Sequence, residues 1–208
     1  MKNIKKYMNL VLKDILICKK MLFFILYVPM VLLFLPQNLW GANVIEMFSF
    51  LVICEMFIFI SLYLVEEEKN KGTELLITTS YTRNDIVISR YLVCFLNLLV
   101  QIILFFLILF LVCGNFLLLN LNLFMINIFL ICIMILILVP LSFKYRLTLF
   151  TVISMIFICP VMLLLSFMYK WNIDFVLNGL CVVLILGLII ISRMSIFISK
   201  KIYQKKDL

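Results

Sequence analysis

Residues Tyr91–Gly114 read YLVCFLNLLVQIILFFLILFLVCG, 24 residues without a charged side chain, in which the only amide side chains are Asn97 and Gln101. As a helix rising 1.5 Å per residue, this run would reach about 36 Å, enough to cross the roughly 30 Å hydrocarbon core of a bilayer. The apolar residues are continuous rather than alternating, which selects a helix over a barrel strand. Comparable runs lie on either side, at Met21–Pro36, Val44–Val65, Leu123–Leu141, Thr148–Met168 and Phe175–Ile191. The first is short and needs its flanks to span. The chain of 208 residues is 67% hydrophobic and 13% charged, whereas soluble domains carry about 45–50% apolar and about 25% charged residues. The expected fold is therefore an all-α integral membrane protein of about six transmembrane helices. It forms one domain over residues 1–208, with no internal repeat and no linker.

Charge gives the orientation. Seventeen of the 18 Lys and Arg residues fall in the N-terminal tail, the loops after the second and fourth runs, and the C-terminal tail; the opposite side holds only Lys170. Positive charge resists translocation, so the crowded side is expected to be cytoplasmic and to hold both termini. The basic start, Met1–Lys20, has no small-residue cleavage site after it and is expected to stay in the mature protein. The outer loops Gln37–Asn43, Asn115–Asn122 and Tyr169–Asp174 are short, and Trp40 and Trp171 suit the headgroup region. The net charge of +8 follows the membrane topology, so no nucleic-acid partner is inferred from it.

Ahead of the first run, Ile4, Met8, Val11, Leu12 and Ile15 recur at helical spacing, with Lys5, Lys6, Asn9, Lys13 and Lys20 on other faces. Residues 1–20 are therefore expected to form an amphipathic helix on the inner leaflet, its lysines drawn to membrane lipid. Residues 192–208 are expected to be a basic cytoplasmic tail.

The longest polar stretch, residues 66–90, separates the second and third runs. Gly72 is a natural break, and Thr73 can cap a short helix carrying Leu75, Leu76 and Ile77. Ser80–Thr82 turns the chain, and Thr82 with Asp85 makes a capping-box-like start to the next helix. Leu75–Ile77 cannot all face water; they rest either in the groove of a partner protein or on the membrane surface.

The motif Glu67-Glu68-Lys69-Asn70-Lys71-Gly72, Glu74-Leu75-Leu76, Thr82-Arg83, Asp85-Ile86-Val87 and Arg90-Tyr91-Leu92 resembles, in order and spacing, the cytoplasmic loop of ABC type-2 transporter permeases. Leu12-Lys13-Asp14-Ile15 and the six-span layout are also similar to that family. One departure is that Ser80, between Thr79 and Tyr81, stands where the family's turn usually has proline, which makes a less rigid turn. The resemblance implies the membrane subunit of an ABC exporter in the cell membrane, which does not itself hydrolyse ATP. A separate ABC ATPase would dock on the loop through Gly72, Glu74, Leu75, Leu76, Ile77, Thr82 and Arg83. A second permease chain, identical or not, would complete the translocation unit.

The remaining chemistry is sparse. Histidine is absent, none of the 7 cysteines forms a CxxC pair, and no GxxxxGK[ST] phosphate loop occurs. No metal site or cofactor is expected. Glu55, mid-way along the second run, is costly in lipid and needs a partner or a polar path. Asn97 and Gln101 share a face of the third run, and depth counting brings Gln101 level with Glu55. The three read either as a contact between helices or as the lining of a substrate path. An intramembrane protease would need more catalytic groups. A non-catalytic membrane scaffold or immunity protein stays open as the alternative to a permease.

Overall fold

The computed structural model describes residues 7–13, 42–70, 81–113, 121–170 and 177–204. Six helices account for nearly all of them: α1 (residues 7–13), α2 (Ala42–Asn70), α3 (Arg83–Cys113), α4 (Leu121–Lys144), α5 (Leu147–Lys170) and α6 (Leu177–Gln204). There is no strand among the described residues. The expected first span, Met21–Pro36, lies outside them, as do Gly72–Ile77. The second, fourth and fifth apolar runs each fall inside one helix, as do Tyr91–Cys113 of the third, within α3, and Leu177–Ile191 of the sixth, within α6. Within these helices Val44–Val65, Arg83–Leu111 and Phe124–Lys144 are long and apolar enough to cross a membrane, and Leu147–Val161 is a shorter apolar stretch.

Local chemistry sets the helix ends. At the start of α3 the Thr82 amide and hydroxyl both donate to Asp85 Oδ2, at 2.9 and 2.7 Å. The Asp85 amide donates back to Thr82 Oγ1 at 3.3 Å and to the Thr82 carbonyl at 3.0 Å. This is a capping box with aspartate in the reciprocal position, as the sequence indicates. Glu68, near the end of α2, accepts from the Leu147 amide at 3.3 Å and so supplies a partner for one of the orphan donors that open α5.

The helices pack with α2 against α4 and α5, and α6 against α4 and α3. Aromatic rings fill the interior where α2, α3 and α4 meet. Phe48 stacks on Phe105 at 4.3 Å, and Phe105 on Phe124 at 5.4 Å. The outward surface is as greasy as the core: Leu99, Ile103, Phe110, Ile156, Ile190 and Phe197 are all exposed. A soluble protein rarely shows such contiguous apolar surface. Here lipid is the solvent on that side, and the backbone polar groups are satisfied within helices. In α1, Leu10 and Val11 are buried while Met8 and Leu12 face outward. The expected stripe placed Val11 with Met8 and Leu12; the structure instead turns Val11 onto the protein body and leaves Met8 and Leu12, one turn apart, for another environment.

Candidate functional site

Two polar clusters interrupt the apolar packing. The first lies in mid-span between α2 and α3. Glu55 is buried, and Asn97 Nδ2 donates to its Oε1 at 2.9 Å. Gln101, one turn further along α3 and also buried, hydrogen-bonds the same carboxyl. The sequence expected the contact through Gln101; the structure adds Asn97, so both amides of the shared α3 face serve one carboxyl. Met56 Sδ lies 3.7 Å from Asn97 Nδ2. Glu55 Oε2 and Asn97 Oδ1 are buried without a hydrogen bond among the described residues. A carboxyl between two amides offers hydrogen bonding and charge rather than a nucleophile–base pair.

The second cluster joins the Arg83 end of α3 to the other helices. Arg83 Nη1 donates to the carbonyls of Gln204, at 2.7 Å, and Tyr203, at 3.4 Å. Gln204 Nε2 donates to Asn84 Oδ1 at 3.4 Å. Two turns along α3, the Arg90 guanidinium is buried between the rings of Tyr63 on α2, 3.9 Å away, and Phe143 on α4, 4.3 Å away. Its Nη1 reaches Ser142 Oγ at 3.5 Å. Guanidinium stacks well on aromatic faces because it is planar and weakly hydrated.

Next to Arg90, Tyr91 contacts Ser195 and Ser199 of α6 at 2.6 and 2.8 Å. Ser195 Oγ donates its one proton to the Leu136 carbonyl of α4 at 2.6 Å. Tyr91 therefore donates to Ser195 and accepts from Ser199. The resulting chain of donors runs Ser199, Tyr91, Ser195, Leu136, and each bond polarises the next.

Of the residues expected to meet a partner, Thr82 opens α3 and Arg83 holds the end of α6, while Gly72, Glu74, Leu75, Leu76 and Ile77 fall outside the described residues. Sequence reading missed the roles of Arg90 and Tyr91, which it used only as topology marker and motif. A signal was present for Tyr91: Ser195 and Ser199 are four apart, so they form a polar strip on one face of an otherwise apolar segment. Nothing comparable singles out Tyr63 or Phe143 in aromatic-rich runs. No group of three or more metal-ligating side chains occurs among the described residues.

A sequence model described as "ABC-2 family transporter protein" matches residues 9–204, from within α1 to the last residue of α6. No curated protein and no solved structure matches the chain. The match takes in both polar clusters and all five long helices, and the chain belongs to the ABC-2 family of transporter membrane proteins.

Proposed function

We propose that this chain is the permease subunit of an ATP-driven exporter in the cell membrane, with six spans and both termini in the cytoplasm. The observation that carries the reading is the family match across residues 9–204. A separate ABC ATPase supplies the energy, a second permease chain completes the translocation unit, and the substrate is left unassigned. The charge asymmetry supports the orientation: the basic residues of the 66–90 loop, the α4–α5 turn and the end of α6 share one side.

The ATPase docks on the segment Gly72–Arg83. Leu75 and Leu76 fill its groove, each burial contributing about 1.5–3 kcal/mol, and Glu74 meets charge on the rim. Arg83 belongs to the same docking segment, and its Nη1 also donates to the carbonyls of Tyr203 and Gln204 at the end of α6. It anchors the downstream end of the docking segment to the membrane bundle, and Thr82 fixes the direction in which α3 leaves it. Glu55, Asn97 and Gln101 act as a contact that fixes α2 against α3.

The test is the double variant Leu75→Ser with Leu76→Ser, co-expressed with its partner ABC ATPase. The permease should remain in the membrane fraction and the ATPase should no longer co-purify with it. Transport should stop, while hydrolysis by the released ATPase continues. Co-purification at the parental yield would remove this segment as the docking element.

A further inference from the structure

Between α3, α4 and α6 a lateral groove of about 300 Å³ opens on the outer surface of the bundle. It is lined by Ile88 and Phe95 on α3, Cys132 and Leu136 on α4, and Ile189 and Ile196 on α6. From Ile88 to Phe95 the helix rises about 10 Å, or two-thirds of the roughly 15 Å of one hydrocarbon leaflet. Leu92 and Ile189 on its walls are exposed, so the groove faces the lipid side.

Its polar atoms are already occupied. The Tyr91 hydroxyl is held by Ser195 and Ser199, and Ser192 Oγ donates to the Ile189 carbonyl at 2.9 Å. The floor therefore asks for hydrocarbon and offers nothing to a polar ligand. The rim differs. Arg193 stands one turn beyond Ile189, and Lys200 one turn beyond Ile196, so both flank the groove on the α6 side. They are seven residues apart and share a face, and their long stems let the charged ends rise toward the headgroups. An apolar slot with two cations at its edge is complementary to an anionic amphiphile.

We propose that this groove is a binding site for one anionic phospholipid, with an acyl chain along Ile88–Phe95 and the phosphate between Arg193 and Lys200. The assignment rests on the proposed orientation, which puts this end of α6 at the inner leaflet. Binding there would fasten α6 to α3 and α4 beside the Tyr91–Ser195 contact.

The full chain, reconstituted in nanodiscs of mixed phosphatidylglycerol and phosphatidylcholine, should retain phosphatidylglycerol in preference when released for native mass spectrometry. Arg193→Gln and Lys200→Gln should each weaken that retention about five-fold, and together about thirty-fold, from the contribution of one basic residue near an anionic headgroup. Lys201→Gln is the control. It removes the same charge about half a turn out of phase with Ser192, on the far side of α6, and should change nothing. Cys132→Trp, which fills the slot, should weaken retention of both lipids. Equal retention of the two lipids would overturn the proposal, as would an equal loss in Lys201→Gln or capture of a non-lipid amphiphile in place of phosphatidylglycerol. None of these readouts involves the ATPase, so failure here is separate from failure of the permease reading, which the Leu75 and Leu76 variant measures.

Discussion

Half-way along α2, Glu55 meets Asn97 and Gln101 across one helix pair; at the start of α3, Arg83, Arg90 and Tyr91 meet carbonyls, rings and hydroxyls from three other helices. In mid-span no water is at hand, so a polar side chain must find its partner on the one helix it touches. Near the headgroups, helix ends bring unsatisfied carbonyls, and aromatic rings gather there too. The first cluster joins two helices through few bonds, and the second joins four through many. The energetic consequence differs: removing one partner from the small, dry cluster strands the other, whereas the larger cluster spreads the loss.

The largest expected effect is therefore at Asn97. Asn97→Leu deprives the Glu55 carboxyl of a donor in the apolar interior and should destabilise the chain by about 1–3 kcal/mol, the cost of an unmade buried bond. Combining it with Glu55→Leu should recover part of that loss, because the Asn97–Glu55 pair is then replaced by two apolar side chains and only the Gln101 amide is left without its carboxyl partner. Unfolding by denaturant in mixed micelles gives the cycle. If the double variant is as unstable as the sum of the singles, the two residues are not coupled, and the contrast between the clusters fails.

Tyr91→Phe should cost less, about 0.5–1.5 kcal/mol. It removes the hydroxyl from the chain Ser199, Tyr91, Ser195, Leu136 while leaving the ring in place. Ser195 still donates to the Leu136 carbonyl, so one link between α6 and α4 survives. A cross-link between cysteines placed in α3 and α6 should then form faster in the variant, as the two helices separate more often. An unchanged rate would show that ring packing, rather than the hydroxyl, holds them.

Much of the bundle is legible in the sequence because hydrocarbon length and helix rise leave few choices. Runs such as Val44–Val65 and Leu123–Leu141 reappear inside α2 and α4. The helices outrun the spans, however. α2 continues through Glu66–Lys69 to Asn70, and α6 carries residues 192–204 of the expected tail as helix. Glu and Lys are good helix formers, so the helix need not stop where the hydrocarbon does. The Thr82–Asp85 box was readable because its members are three residues apart. The Tyr91–Ser195 bond, 104 residues apart in sequence, was not. Periodicity tells which residues share a face but not which helix that face will meet. The Glu55 contact lies between these cases. Counting depth from each surface found the right helix and one of its two amides, because an offset of one turn, about 5.4 Å, is within what tilt and uneven helix starts allow.

Arg83 gives the smallest expected effect and the finest test of the comparison. Its Nη1 serves the carbonyls of the last two described residues of α6, at 2.7 and 3.4 Å; carbonyls in the last turn of a helix lack amide partners within it. A cation at a helix C-terminus is also favoured by the macrodipole, by about 0.3–1 kcal/mol when exposed. Arg83→Gln loses the charge, and its shorter side chain reaches less of the α6 end. Hydrogen exchange at residues 200–204 should accelerate by about two- to five-fold, the same energies expressed as an opening equilibrium. Arg83→Lys keeps the charge but not the planar fork and should fall between the two. The start of α3 should keep its protection in both, because the Thr82 and Asp85 bonds do not involve Arg83. An Arg83→Gln variant that exchanges normally at residues 200–204 yet releases the ATPase would leave Arg83 a docking residue only and end its reading as an anchor.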